Sequence, residues 1–542
     1  MEFFFKSCGR RKHHVNFSIA GKMSLSNLNQ KAVNGKSRNS DCKKHAPLPL
    51  FEISLYWAVW IPLLSYAVYA VWIASYEYKD EIYGEFLEER WTFLGRKKDV
   101  TDFEWEFWTS ALTSLLPAML LHMFGGLIFS HFLPKFKGIY CLLFSLTFCV
   151  FSMGWKSLIF LLSHCCLVFG VCVIFKSVVM LWICCIGISF SLQINTIKEW
   201  QVDRLSTDPL IKNLTTFVAM MSVLRCISFG MEYCWRAREN LKDKQSSLYS
   251  LLDLLVFNFY LPVFVNGPVI TFDTFQKTFY QPQRSFTREE IASIVKDTIR
   301  TIGWYIFLEG FLHFVYATAF TQEPRIFTSL SKWALCGVMY SMLQIFLLKY
   351  KVFYLGAGLF ARMDKVAVPL PPRCVSTLYL FTDMWKYFDR GLHVWMIRYI
   401  YIPMGGSHKG IVRQLFASIC TFAFIWQWHG GDVVTLWWFI PNWMGVVTES
   451  MASIVLAKPF VKGLEDKLSP AASRRMRAVF GVGTVSCLIL SNLVFLCGTD
   501  PVWFYIKRMF FDGWPSSAGL LLFSMYLVVQ TNMELNRHMS SW

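Results

Sequence analysis

Residues 139–193 form an almost continuously apolar stretch in which Lys156 and Lys176 mark the expected breaks. A helix needs about 18–20 apolar residues to cross a bilayer, so this stretch alone predicts two or three crossings. Over the whole chain of 542 residues, 55% are hydrophobic and only 16% are charged. Soluble domains rarely have this composition. The sequence therefore predicts an all-α protein that crosses the membrane many times.

Further apolar stretches lie on both sides of this region and bring the total to about ten to twelve membrane segments. One of them is interrupted, because Pro262 and Asn266-Gly267-Pro268 are poorly compatible with a continuous helix. Broken backbone at membrane depth is tolerated only against protein or a cavity, so we predict a re-entrant segment here. The apolar stretches are 53–75, 109–133, 213–234, 249–272, 300–320, 329–349, 413–428, 433–457, 478–498 and 517–531.

The net charge of +17 is concentrated in particular segments. Residues 1–47 contain ten Lys and Arg against two acidic side chains, whereas residues 77–106 contain ten acidic side chains. Residues 348–373 are predicted to form a basic loop. Basic segments stay on the cytosolic side of a membrane, which predicts a cytosolic N-terminus and a lumenal loop 77–106. This placement favours lipid headgroups over nucleic acid as a partner. We predict a disordered tail at 1–47 and one membrane domain at 48–542.

His429 stands in the apolar run Phe424-Ile425-Trp426-Gln427-Trp428-His429-Gly430-Gly431. An ionisable side chain at membrane depth is costly, so it indicates a functional site and needs a partner. Asp389, forty positions upstream, is the candidate partner. A histidine and an aspartate in apolar surroundings suit a buried proton transfer. The alternative is a structural histidine packed against tryptophans.

Four sequence blocks together resemble the Hedgehog acyltransferase branch of the membrane-bound O-acyltransferase superfamily. They are Asn258–Pro268, Tyr387–Leu392, Arg398–Gly406 and Trp428–Gly431. The resemblance covers about residues 50–535. It implies a membrane enzyme with a central catalytic cavity. It further implies transfer of palmitate from palmitoyl-CoA to the N-terminal cysteine of a secreted Hedgehog-type protein, in the endoplasmic reticulum membrane or the Golgi.

The same resemblance implies roles for individual residues. His429 would be the general base, and Asp389 would either orient it or anchor the acceptor's ammonium. Asn492 would donate to the thioester oxygen, although an inter-helix hydrogen-bonding asparagine is an equal alternative. Trp385 would contact the acyl donor. Cys374 matches a cysteine that ligates haem iron, for which thiolate is an established axial ligand.

Other functions remain to be weighed against this one. Lipid-modifying relatives usually carry Asn where this chain has Asp389, which favours a protein acceptor over a lysophospholipid or glycerolipid. Non-catalytic relatives typically lose the histidine found at His429. Zinc-type S-palmitoyltransferases need an Asp-His-His-Cys run, and the chain has none. A non-enzymatic transporter is the remaining alternative for a chain of this composition.

Overall fold

The computed structural model describes residues 46–238, 249–281, 285–407 and 410–539. The predicted tail 1–47 lies outside these residues except for its last two. Within them, nearly all regular structure is helical, and the two short strands Leu87–Glu88 and Lys98–Asp99 pair antiparallel. The predicted all-α fold is confirmed. The helices are α1 Leu50–Glu77, α2 Phe103–Phe132, α3 Lys137–Phe175, α4 Val178–Ser191, α5 Asn195–Val202, α6 Pro209–Arg238, α7 Leu251–Asn258, α8 Leu261–Phe264, α9 Phe272–Phe279, α10 Arg288–Leu312, α11 Ala317–Gln322, α12 Pro324–Ser329, α13 Lys332–Met363, α14 Phe381–Tyr387, α15 Arg390–Met396, α16 Ile411–Trp428, α17 Val433–Leu456, α18 Pro459–Glu465, α19 Pro470–Cys497, α20 Thr499–Ile506 and α21 Ser516–Met539.

Eight helices in the described residues are long and apolar enough to cross a membrane, or nine if α4 and α5 form one span bent by 83°. The other predicted segments, 249–272, 300–320 and 413–428, form helices that are shorter or less apolar. Helix α3 contains a break at Gly154, whose φ of 83° is left-handed, and it ends at Lys176 with φ 48°. These positions lie close to the breaks that Lys156 and Lys176 predict. Three helical pieces therefore occupy residues 139–193.

The predicted interruption near Pro262 is present. Helices α7 and α8 are separated by two residues, and Pro262 occupies the first turn of α8. A buried guanidinium, that of Arg225 on α6, donates to the backbone carbonyls of Asn258 at 3.3 Å and Phe264 at 3.0 Å. Carbonyl groups left without helical partners are thus satisfied by protein, as membrane depth requires. This segment is buried in the bundle rather than lipid-facing.

The predicted basic loop 348–373 is wrong in its first part, because α13 continues to Met363. Lys349 accounts for the difference. It is 6% exposed and pairs with Asp102 at 2.8 Å and Glu104 at 3.0 Å, both at the start of α2. A lysine whose charge is paired inside the bundle can lie within a helix. In the sequence alone, the same lysine looks like a loop residue.

Two large apolar clusters make up most of the core. The first joins helices α3, α4, α6 to α9, α15 and α16, and the second joins α1, α11, α13 and α20. Helix α19 contacts both clusters: Phe495 packs against the first, whereas Leu493 belongs to the second. Helices α14, α17 and α19 meet at this boundary. The candidate site is built there.

Candidate functional site

His429 occupies the tight turn between α16 and α17. Gly430 and Gly431 follow it with φ values of 124° and 66°. These are left-handed conformations that glycine adopts readily and other residues avoid. Asp432 then caps α17 by accepting the backbone N–H of Thr435 at 2.7 Å. The Trp-His-Gly-Gly sequence therefore reverses the chain directly after the histidine.

Neighbouring helices clamp this turn through hydrogen bonds. The indole N–H of Trp428 donates to the carbonyl of Met220 on α6 at 2.9 Å. The Gln427 amide donates to Ser189 on α4 at 2.8 Å and to Gln193 at 3.0 Å. The Gln193 amide returns a hydrogen bond to the backbone carbonyl of Gln427. The position of His429 is therefore fixed by side chains that flank it rather than by its own ring.

Three aromatic rings contact the His429 imidazole edge-to-face, at centroid distances of 4.7 Å for Trp428, 5.2 Å for Trp438 and 5.3 Å for Phe495. We call these rings the aromatic wall. Across the described residues, neither imidazole nitrogen forms a hydrogen bond with the protein. Polar groups in protein interiors are usually hydrogen-bonded, and an unbonded one needs an explanation. The histidine is packed against tryptophans, as the structural alternative expects, but it is also available to a substrate.

Asp389 is half-buried at the N-terminus of α15. One carboxylate oxygen accepts the backbone N–H of Leu392 at 2.8 Å, and the other accepts the hydroxyl of Tyr354 at 2.6 Å. No ion pair or hydrogen bond joins Asp389 to His429 in the part of the chain that the structure describes. The predicted direct pairing is therefore not formed. In this geometry Asp389 does not orient the His429 ring.

A chain of ring contacts links the neighbour of Asp389 to His429. Phe388, next to Asp389, stacks on Phe346 at 5.2 Å with an interplanar angle of 2°. Phe346 contacts Phe495 at 6.1 Å, and Phe495 contacts His429. Aromatic packing therefore connects the two segments, although the carboxylate and the imidazole do not contact each other.

Trp385 and Asn492 both lie beside Trp438 of the aromatic wall. The ring of Trp385 is 5.5 Å from that of Trp438, and its indole N–H donates to Asn442 at 3.1 Å. The Asn492 carbonyl accepts the indole N–H of Trp438 at 3.4 Å, and its amide donates to a backbone carbonyl of its own helix at 2.7 Å. The inter-helix bond predicted as the alternative for Asn492 is thus present. One amide N–H is left over for an oxyanion. Trp385 and Asn492 each contact Trp438, whose ring in turn contacts His429.

Several site residues lack a local signature in the sequence. Tyr354 reaches the site from α13 and Gln193 from the turn after α4, both distant in the chain, and Trp438 is one of 22 tryptophans. Gln427 could have been found, because it stands within the same block as His429. An amide in an apolar run needs a partner, just as an imidazole does.

Cys374 precedes a short 3-10 turn, Val375–Thr377, and its carbonyl accepts the backbone N–H of Thr377 at 3.0 Å. Ser376 is braced by Gln344 at 3.1 Å and by Asn532 at 2.9 Å. The Cys374 thiol is half-buried and has no hydrogen bond within the described ranges. A free thiol on a braced turn fits a single axial ligand to haem iron.

Comparison with known proteins shows which family the chain resembles. The model of the MBOAT, membrane-bound O-acyltransferase family, matches residues 173–490, more than half of the chain. The mouse protein-cysteine N-palmitoyltransferase HHAT is 33% identical over 477 residues, which cover 86% of this chain and 94% of the relative. The mouse HHAT-like protein is 29% identical over 91% of this chain and 96% of its own length. Drosophila melanogaster Rasp, named as a protein-cysteine N-palmitoyltransferase, is 26% identical over 85% of this chain and 91% of its own length. This chain belongs to the membrane-bound O-acyltransferase family.

Proposed function

We propose that this chain transfers palmitate from palmitoyl-CoA to the N-terminal cysteine amine of a secreted Hedgehog-type signalling protein. Two relatives that cover most of the chain are named for N-palmitoylation of protein cysteine. One structural observation carries the proposal furthest. His429 is clamped in place with both ring nitrogens free, next to rings that lead to a carboxylate capable of holding a cation.

The acceptor's chemistry matches this arrangement. An N-terminal ammonium has a pKa of about 7.7–8.0 and must lose a proton before its nitrogen can attack. Asp389 would hold the ammonium, and a neutral His429 would accept a proton from the attacking nitrogen and return it to the CoA sulfur. The remaining amide N–H of Asn492 would stabilise the oxyanion as the thioester carbonyl opens. Trp385 would line the acyl chain.

The location follows from the two substrates. Palmitoyl-CoA is cytosolic and a secreted acceptor is lumenal, so the site must open to both sides of the membrane. The endoplasmic reticulum, or the Golgi, is the compartment where the two meet. The basic tail 1–47 and the acidic region 77–106 support a cytosolic N-terminus. The lipid bilayer surrounds the long apolar helices.

A haem at this site would be held through its iron by the Cys374 thiolate. It would stabilise the folded chain by binding the native state alone. The acyl transfer described above uses protein side chains only.

The deciding experiment uses the full chain, purified in detergent, with palmitoyl-CoA and a peptide that begins Cys-Gly-Pro-Gly. We expect a palmitoylated peptide by mass spectrometry, with the acyl group resistant to hydroxylamine because it is an amide. A Ser-initiated peptide should react more slowly, and an N-acetylated Cys peptide should not react. Palmitoylation of the N-acetylated peptide that hydroxylamine removes would instead show a thioester. Acylation of lysophospholipid but not peptide would assign the chain to the lipid-modifying relatives.

A further inference from the structure

A row of polar side chains leads away from Asp389 along α13. The Tyr354 hydroxyl donates to Asp389 at 2.6 Å. One turn earlier on α13, the ring of Tyr350 lies 5.7 Å from that of Tyr354. The Tyr350 hydroxyl donates to Glu104 at 3.1 Å. We call these four residues the polar file.

The outer end of the polar file is a carboxylate within reach of water. The Glu104 side chain is 30% exposed, whereas Lys349 beside it is 7% exposed. Lys349 contacts Glu104 at 3.0 Å and Asp102 at 2.8 Å, and Asn266 donates to Glu104 at 3.3 Å. These groups fix the Glu104 carboxylate against Tyr350. The polar file therefore runs from the half-buried carboxylate of Asp389, through Tyr354 and Tyr350, to the partly exposed carboxylate of Glu104.

The proposed reaction releases one proton for each palmitate transferred. The acceptor enters as an ammonium, R–NH3⁺, and leaves as an amide, R–NH–CO–R′. Of the two protons lost, one converts the departing CoA thiolate into a thiol, and His429 carries that one. The other must reach solvent. His429 cannot hold both, and within the described residues its ring has no hydrogen-bond partner that could take one away.

We propose that Asp389 accepts this first proton and that Tyr354, Tyr350 and Glu104 conduct it to water. The inference rests on the proposed function. Protonated Asp389 donates to the Tyr354 oxygen, and the Tyr354 hydroxyl proton passes through one water to Tyr350. The Tyr350 hydroxyl proton then moves to Glu104, which releases it. Each tyrosine gains one proton and loses one, so only the free proton leaves the site.

The test is Tyr350→Phe, which keeps the ring packing of α13 and removes only the hydroxyl. At about pH 6.5 the acceptor amine is protonated, and we expect kcat to fall about tenfold, less than the loss of a general base causes, because only proton release is slowed. At about pH 9 the amine arrives neutral, no proton needs the polar file, and kcat should approach that of the wild type. Glu104→Gln, on a different helix, should behave in the same way and covers the case in which Tyr350→Phe fails to fold.

The matched control is Tyr56→Phe, which removes a tyrosine–carboxylate hydrogen bond to Glu52 far from the site. It should match the wild type at both pH values. A structural role for the polar file would reduce kcat by the same factor at both pH values, and this result would overturn the proposal. A wild-type protein that leaves the Cys peptide unmodified would refute the proposed function instead.

Discussion

At the scale of single residues, the position of His429 is secured by its neighbours rather than by its own ring. Its neighbours Gln427 and Trp428 make the hydrogen bonds to other helices, so the imidazole nitrogens are spared. His313, by contrast, uses one ring nitrogen toward the carbonyl of Glu309 at 2.8 Å and accepts the Trp91 N–H with the other. The His313 ring is thus held by hydrogen bonds, whereas the His429 ring is left free for the proton transfer that we propose.

His429→Ala should leave the protein folded, because the clamp of the turn does not involve the imidazole. Loss of a general base typically reduces the rate about 10²- to 10⁴-fold, and we expect palmitoyl transfer to the Cys peptide to fall in that range. The measurement is initial rate by mass spectrometry, with gel filtration as the check on folding. His164→Ala, a half-buried histidine on α3, is the control. A well-folded His429→Ala protein with more than about a tenth of the wild-type rate would exclude general-base catalysis by this residue.

Cys374→Ser tests the haem proposal. Protein expressed with sufficient haem should show a Soret band, and this variant should lose or shift it, because serine is a poor axial ligand. Its thermal unfolding temperature should also fall, since a bound cofactor favours the folded state. Cys420→Ser, another half-buried thiol, should change neither. Active wild-type protein without a Soret band would remove haem from the account.

The sequence supplied the candidate residues but not their contacts. His429, Trp385 and Asn492 do gather around Trp438. Asp389 was expected to touch His429, yet its partner is Tyr354, whose hydroxyl arrives from α13. Such a contact depends on how two helices pack, and no local pattern encodes it.

At the scale of the elements, α14 is a short helix whose position depends on α17. The carboxylate of Glu449 on α17 accepts the backbone N–H groups of Phe381 at 2.7 Å and Thr382 at 3.0 Å. It therefore neutralises the free donors at the start of α14. Seven residues suffice for this helix because its first turn is held from outside. Trp385 is presented toward Trp438 as a result.

Glu449→Gln should weaken this attachment, since an amide has only one oxygen to accept two N–H groups. Charge-assisted hydrogen bonds of this kind contribute about 1.5–3 kcal/mol, so we expect a lower thermal unfolding temperature. With Trp385 less firmly placed, KM for palmitoyl-CoA should rise more than kcat falls. Glu465→Gln on α18, which also loses a hydrogen-bonded carboxylate, is the control. An unchanged KM would show that α14 keeps its place without Glu449.

Helix boundaries were predictable where composition changes and unpredictable where charge is buried. The α3 break appears at Gly154 rather than Lys156, because glycine supplies the left-handed backbone there. Helix α10 begins at Arg288, well before the predicted 300, since its charged first turns pair with the end of α13: Arg362 contacts Asp297 at 2.9 Å. Hydropathy detects lipid-facing surface and overlooks helical turns that carry paired charges.

At the scale of the whole molecule, the region 77–106 is part of the bundle rather than an independent loop. Lys98 is 2% exposed and pairs with Glu309 of α10 at 2.9 Å. Asp99 accepts the backbone N–H groups of Thr318 and Ala319 at 3.1 and 3.0 Å. These contacts fasten the segment between α1 and α2 to the helices that follow α10. A sequence window cannot reveal them, because the partners are more than 200 positions apart.

Asp99 gives the folded protein a defined pH dependence. Burial raises the pKa of Asp99 from its ordinary 3.8 to about 6, partly offset by hydrogen bonds from Ala319 and Thr101. Because the folded state then holds the proton more tightly than the unfolded state, stability falls as pH rises from about 4 to about 6 and levels off above that. The loss is on the order of 3 kcal/mol.

Asp99→Asn does not titrate, so the difference in thermal unfolding temperature between wild type and variant isolates this contribution. The thermal unfolding temperature of the wild type, relative to that of the variant, should be higher at about pH 4.5 than at about pH 7. Asp80→Asn, an exposed carboxylate in the same region, should show no such change. If the advantage of the wild type in thermal unfolding temperature is constant across this range, or grows with pH, the raised pKa of Asp99 is contradicted.

The aromatic wall also determines what happens when no acceptor is present. A thioester is an activated acyl group, and a histidine able to deprotonate an amine can equally activate water. The rings of Trp428, Trp438 and Phe495 offer only apolar edges beside His429, and a site that excludes water suppresses such side reactions. Bound palmitoyl-CoA should therefore stay unhydrolysed until an acceptor binds. Donor consumption would then follow the supply of newly secreted acceptor, and little palmitate would be wasted between deliveries.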